Sequence, residues 1–335
     1  MLGLSNLSKS VKGEPVLANV TLNVPAGRPT AIVGLSRAGR EALARLLAGV
    51  DKPQGGAIKL GSVDIVRARK DKGAIRRVGP AIPPASGQRV GKLIGAEAAA
   101  RAGLSGHLNA RISDLAPDQR MRLAIAQAVA ARPALLILDA PASELPANLH
   151  DDFAEHLGEI IAGSSGVVVL LASGAHEALG LRGDIVVMAG GAVLQTGVAS
   201  DISAHPVNLA AAVATSWPTL NTLPMTAREG RCMLSDGSRL QLPEGIVTPH
   251  DGVCTLAFHP EDATLERASP GCLRFVVRAG VEEARGEFRF LNVTFANRQW
   301  MCPLAASAPH GGTLLNAFVD RSHLLVFDAD GRAIG

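Results

Sequence analysis

Two stretches of the chain, ALLILD (134–139) and GVVVLLAS (166–173), are apolar at almost every position. Runs without alternation fit central parallel strands covered on both faces. Between them, DDFAEHLGEIIAG (151–163) spaces its apolar residues as an amphipathic helix does. PTAIVG (29–34) reads as a third buried strand. REALARLLAGV (40–50) follows it, with Leu43, Leu46 and Leu47 on one helical face and Gly49 at its end. The same reading predicts helices over 93–104 and 116–131, two short strands around a KGEP turn within 2–24, and hairpins over 56–65 and 184–197. The last turns at Gly190-Gly191. Strands and helices in alternation define an α/β layout.

The pattern changes near residue 213. WPTLNTLPM (217–225) carries two prolines and no clear period, so 214–226 reads as a linker. From 227 to 335 short apolar runs are cut by SDGS, TPHDG, ASPG, APHGG and DADG, the mark of an all-β domain built as a small barrel. The expected organisation is an α/β domain over 1–213, the linker, and a β domain over 227–335.

Composition narrows the partners. Hydrophobic residues make up 47% of 335, and charged residues 19%, as in a folded globular chain. A net charge of +3 is too small to argue for nucleic acid or an anionic membrane surface. Tyrosine is absent and aromatics are 3%, which argues against base-stacking platforms. Cys232, Cys254, Cys272 and Cys302 show no paired spacing and read as isolated thiols. No apolar run reaches the ~18 residues of a membrane span, and the N-terminus lacks the pattern of a secretory signal. The expected location is cytoplasmic, with any membrane contact made through a partner.

The stretch VGLSRAGREALARLLAG (33–49) has the frame of a phosphate loop. Such a loop needs G-x-x-x-x-G-K-[ST] between a strand and a helix: glycines so that backbone N–H groups wrap phosphate, a lysine for the β- and γ-phosphates, a hydroxyl for Mg²⁺. The candidate nucleotide-binding residues are Gly34, Leu35, Ser36, Arg37, Ala38, Gly39, Arg40, Glu41 and Ala42. Both glycines are in place, but Arg40 stands for the lysine and Glu41 for the hydroxyl residue. Arg40 keeps the charge in a planar fork. An acid in the first turn of a helix is favourable, so Glu41 is expected to sit in the anion nest as an internal substitute for phosphate.

ISDLAPDQRMRLAIAQAVAARPALLILDAPASEL (112–145) resembles the signature-to-Walker-B segment of ATP-binding cassette (ABC) transporter ATPases. LARLLAGVDKPQGGAIKLGSVDIV and DIVVMAGGAVLQTG match further segments in the family's order. LAFHPEDATL (256–265) and RSHLLVFDADGRAIG (321–335) look like the regulatory β-barrel (TOBE, OB-fold-like) of the sugar and glycerol-3-phosphate importer branch. The resemblance implies a P-loop NTPase fold of the ABC type followed by that barrel.

It also implies roles, which this chain fills poorly. The L-S-G-G-Q signature reads Leu115, Ala116, Pro117, Asp118, Gln119. The Walker B aspartate is Asp139, but the glutamate after it, the family's general base, is Ala140. The Q-loop glutamine position holds Pro83, the adenine-stacking position Val11, the D-loop aspartate position Pro146, and the switch histidine position Ser173. His176 lies three residues beyond Ser173 and is a poor substitute. Loss of the base costs on the order of 10²–10⁴ in rate, and loss of donors to the transferring phosphoryl group roughly another 10²–10³. No catalytic residue and no metal ligand is therefore assigned. ATP is expected to bind weakly if at all, with Mg²⁺ left open, and hydrolysis to be poor or nil. The implied partners are transmembrane permease subunits and a second, competent ATP-binding subunit, a heterodimer on the inner face of the membrane without insertion into it. The stretch between Pro83 and Leu115 is shorter than the helical subdomain of that branch. A non-enzymatic scaffold or sensor using the cassette and barrel for binding, with no transport role, is the alternative.

Overall fold

A computed structural model describes residues 1–229, 231–266, 271–285, 288–304 and 309–334, with the side chain of 147 left aside. The chain divides into two compact units, Met1–Ala199 and Ser200–Gly335.

In the first unit β1 (Leu2–Val11) and β2 (Glu14–Val24) form a long antiparallel pair. β3 (Thr30–Val33) leads into α1 (Arg37–Leu47), followed by β4 (Gly55–Leu60), β5 (Val63–Asp64), α2 (Ile65–Ala68) and β6 (Ile75–Val78). Then come α3 (Ala96–Arg101), α4 (Pro117–Ala130), β7 (Leu135–Asp139), α5 (His150–Ile161), β8 (Val167–Leu171), α6 (Ala175–Gly180), β9 (Asp184–Ala189) and β10 (Ala192–Val198). A six-stranded sheet runs in the order β10-β9-β3-β8-β7-β6. All its neighbours are parallel except β10, which returns beside β9. β3, β7 and β8 are buried at every position, as their uninterrupted apolar runs require. A second, antiparallel sheet has the order β2-β1-β4-β5. One apolar core joins Leu2, Leu4 and Leu7 of that sheet, Leu43, Leu46 and Leu47 of α1, and Ile137 and Val169 of the parallel sheet.

Local expectations change in the first unit, three of them as follows. β1 and β2 span ten and eleven residues and are not short. Asn6 and Asn19, at φ 48° and 49°, sit where the register shifts, and such bulges keep successive apolar residues inward over a long twisted pair. The helix expected over 93–104 is only Ala96–Arg101, because Gly95 caps its start and Gly103, at φ +65°, ends it. Glu41 is the third correction and belongs to the site.

The second unit follows α7 (Ala199–Ala204) with α8 (Leu209–Ala214), and is otherwise β-rich. Its strands are β11 (Asn221–Arg228), β12 (Arg231–Met233), β13 (Arg239–Leu240), β14 (Gly252–Phe258), β15 (Ala263–Thr264), β16 (Leu273–Arg285), β17 (Phe288–Phe295), β18 (Arg298–Pro303), β19 (Leu314–Val319) and β20 (Leu325–Phe327). They form two five-stranded antiparallel sheets, ordered β13-β12-β11-β14-β20 and β15-β19-β16-β17-β18. Of the stretch expected as a linker, 214–226, the part from Asn221 is instead the middle strand of the first of these sheets, alternately burying Asn221, Leu223, Met225 and Ala227. The two prolines hid that period of two. Trp300 packs edge-on against Phe258 and Phe275, and its indole N–H donates to the Thr222 carbonyl at 3.1 Å. The cysteines are free thiols. The ASPG turn falls mainly outside the described residues.

Candidate functional site

β3, β8 and β7 lie side by side, so the loops after them open at one edge, where open α/β sheets gather ligands. β3 delivers the 34–42 segment, β7 delivers Asp139 and Ala140, and β8 delivers Ser173. The fold therefore brings together the phosphate-loop, Walker B and switch positions.

Gly34 holds the loop's first turn at φ +82°. A Cβ there would stand 2.0 Å from the Met188 carbonyl oxygen, so only glycine fits. The helix begins earlier than the sequence pattern indicates. Ser36 is its N-cap, and its hydroxyl accepts the Gly39 N–H at 3.1 Å. Leu35 is half-buried, Arg37 and Ala38 are exposed, and Ala42 packs inward. Glu41 is the fifth residue of α1 and exposed, and the first turn carries no acid. The nest is capped by the Ser36 hydroxyl, and Glu41 does not enter it. The reason is register: a serine placed three residues before Gly39 is a better cap than a carboxylate two residues beyond it.

Asp139 is 5% exposed. Arg77, carried by β6 on the neighbouring edge of β7, donates from its guanidinium to Asp139 Oδ2. Arg40 Nε lies 3.9 Å from Asp139 Oδ1. Asp139 is thus clasped between two arginines. Ala140 is fully buried at φ 46°, and its N–H extends the ladder to Leu171 O at 2.9 Å. Its methyl brings no acid or base to the site.

The organising carboxylate is Glu177 on α6, fully buried. Oε1 accepts the Ala142 N–H at 2.5 Å, while Oε2 accepts the Ser173 N–H at 2.6 Å and the Ser173 hydroxyl at 2.9 Å. Glu177 therefore ties the loop after β7 to the loop after β8. Burial pushes its pKa above the ordinary value, against the opposing pull of those donors and of nearby Arg40. His176 does not stand in for the switch histidine; its ring stacks on His150 at 4.9 Å. Val11 ends β1, half-buried, and Pro83 lies in the loop after β6, also half-buried.

The signature positions form a separate cluster. Leu115 is buried, Ala116 is the N-cap of α4 and Pro117 its first residue. Gln119 Oε1 accepts the Ala116 N–H at 3.0 Å. Asp118, 3% exposed, pairs with Arg122 at 2.6 Å, and Arg122 also donates to Ala102 O at 2.9 Å. The Asp118 carboxylate and the Gln119 amide oxygen are thus engaged within the chain. Among the described residues no hydrogen bond or ion pair joins 115–119 to 34–42.

Sequence reasoning missed Arg77, Glu177 and Arg122. Arg122 had a signal, its i,i+4 spacing from Asp118. Arg77 is 62 residues from Asp139 and had none.

A divalent cation does not fit here. Mg²⁺ is held by oxygens, yet Asp139, the family's retained acid, faces two guanidiniums, and Glu41 is exposed. Among the described residues no three His, Cys, Asp or Glu side chains gather as a metal site.

The family model described as ABC transporter matches residues 17–143. The chain is 30% identical over 266 residues to a sulfate/thiosulfate import ATP-binding protein of Chromobacterium violaceum, covering 75% of this chain and 72% of that one. It is 27% identical over 300 residues to an sn-glycerol-3-phosphate import ATP-binding protein of Paracoccus denitrificans, covering 83% and 84%. Among solved structures it is similar to a dimeric ATP-binding cassette bound to ADP and Pi, at 21% identity and a TM-score of 0.46 over 59% of this chain and 98% of that one. With the strand order, the loop frame and the Walker B strand in place, this chain belongs to the ABC transporter ATP-binding family.

Proposed function

We propose that this chain is a catalytically silent ATP-binding-cassette subunit of a bacterial importer. One observation carries the reading: Asp139, where the family directs Mg²⁺, is engaged by Arg77 and Arg40. Phosphoryl transfer in this family is positioning and charge stabilisation. Here the metal's carboxylate is neutralised from within, the general-base position is Ala140, and the switch position Ser173 is bound to Glu177. Asp118 is likewise held by Arg122, and Gln119 gives its amide oxygen to the α4 cap, so the signature offers a partner's nucleotide only the Gln119 amide NH2 where the family has a serine hydroxyl and glycines.

The role that remains is that of a partner for a competent ATPase subunit and for transmembrane permease subunits, on the inner face of the membrane. No helix among the described residues is long and apolar enough to cross one. A heterodimer follows from the reading, since two copies of this chain would lack any working site. The proposed solute is a sugar, a polyol or a glycerol phosphate; the glycerol-3-phosphate relative supports the last of these, and the sulfate relative extends the range to oxyanions. The β-rich second unit is proposed as the TOBE-like regulatory domain.

The test is phosphate release by the purified chain at millimolar MgATP. The expected result is no turnover above that of Asp139→Asn. Mg²⁺-dependent turnover that Asp139→Asn abolishes would overturn the reading.

A further inference from the structure

The clasp around Asp139 leaves one group unspent. The Arg40 side chain is 17% exposed, and among the described residues its one ion pair is Asp139 at 3.9 Å, beyond hydrogen-bond reach. A guanidinium has five N–H donors, and no nitrogen of Arg40 is among the buried side-chain atoms without a partner, so its fork reaches solvent. Asp139 Oδ2 takes Arg77, and Oδ1 faces Arg40 without coming within hydrogen-bond distance. Glu177 acts on Arg40 through its field, but its two oxygens already accept three donors. Arg40, Arg77 and Asp139 together carry a net charge of +1. Arg40 thus presents a planar donor fork, suited to bidentate contact with phosphate oxygens, beside a loop in which Gly34 lets the backbone come close.

Arg77 settles how that charge is supplied. Its guanidinium reaches Asp139 from β6, with the side chain 34% exposed. A guanidinium held against this aspartate supplies one of the two positive charges that a divalent cation would bring. We propose that Arg77 is a resident cation in the metal's place, so that the Arg40 loop takes a polyphosphate such as a nucleoside triphosphate without any metal. The inference rests on the reading of this centre as a non-hydrolysing cassette. It adds the ligand class and the charge state: the metal-free polyanion, which carries two more negative charges than its Mg²⁺ complex and gains more from the two arginines.

The experiment is calorimetric titration of the full chain with ATP, and separately with pyrophosphate, in EDTA and in excess Mg²⁺ at one ionic strength. Binding is expected in EDTA, and Mg²⁺ should weaken it by about threefold or more. Arg77→Ser should weaken binding in EDTA by about tenfold, while Arg77→Lys, which keeps the charge, should retain most of it. Thermal unfolding of both variants checks that they remain folded, and if Arg77→Ser does not fold, the EDTA and Mg²⁺ comparison on the wild type decides. No binding in EDTA at millimolar ligand, tighter binding with Mg²⁺, or wild-type affinity in a folded Arg77→Ser would each overturn the proposal. Turnover of ATP would break the silent-subunit reading instead, and is measured separately from affinity.

Discussion

The first unit contains two deeply buried aspartates paired with arginine, and they differ in one respect that matters. Asp118 and Arg122 sit one helical turn apart on α4, 4% and 6% exposed, and the pair is further anchored on Ala102 O. Gly103 leaves the room: a Cβ there would lie 2.6 Å from Arg122 Nη1. Asp139 meets Arg77 from a neighbouring strand and Arg40 from the phosphate loop, and Arg40 keeps its donors. The first arrangement is local and shut off from solvent, with Arg122 Nε buried and without a partner; the second is long-range and open. A closed pair is structural, whereas an open one still has chemistry to offer a ligand. On the function proposed above, a ligand is met at the strand edge, where Arg40 keeps its donors.

The largest effect that would sharpen this contrast is Arg122→Ala. It leaves Asp118 charged and buried, and should cost about 3–5 kcal/mol in denaturant unfolding. The double substitution Asp118→Leu with Arg122→Met should recover most of that loss, since well-packed apolar groups replace a buried pair at little cost. A single-variant loss below about 1 kcal/mol would place the pair among solvated ones and break the comparison. Arg77→Ser should cost less, about 1–2 kcal/mol, because its side chain is a third exposed and Arg40 still faces Asp139. Added salt should narrow this difference and leave the Arg122 effect nearly unchanged.

The smallest effect is the pH dependence from Glu177. Burial raises its pKa, so above the ordinary value of 4.5 the folded chain holds this proton more firmly than the unfolded chain does. Its stabilisation is complete below that value and falls as pH rises through the folded pKa. The stability of the wild type relative to Glu177→Gln should therefore decline as pH rises above 4.5. A flat difference would mean that the three donors on Glu177 fully offset its burial.

Much of the scaffold was legible because its signals are local. The apolar runs of β7 and β8 are buried on both faces, and the turn at Gly190-Gly191 lies where the pattern put it, with both glycines at positive φ. The phosphate-loop frame, Asp139, Ala140 and Ser173 converge as the order of motifs implies. The local reading failed where two signals competed. Prolines masked the alternation of β11, and an acid near a helix start looked like an anion substitute although Ser36 was the better cap.

The sequence by itself determined the strand pattern, the glycine frame at Gly34, the loss of the family's reagents, and the spacing that lets Asp118 find Arg122. Each depends on residues within a few positions of one another, where period, φ preference and reach are set by the covalent chain. Only the tertiary structure decided what became of Asp139. β6 pairs with β7 in parallel, so Arg77 is delivered to a carboxylate 62 residues away, and α6 turns Glu177 back onto two loops at once. Contacts of that kind depend on sheet order and register, and no local pattern encodes them.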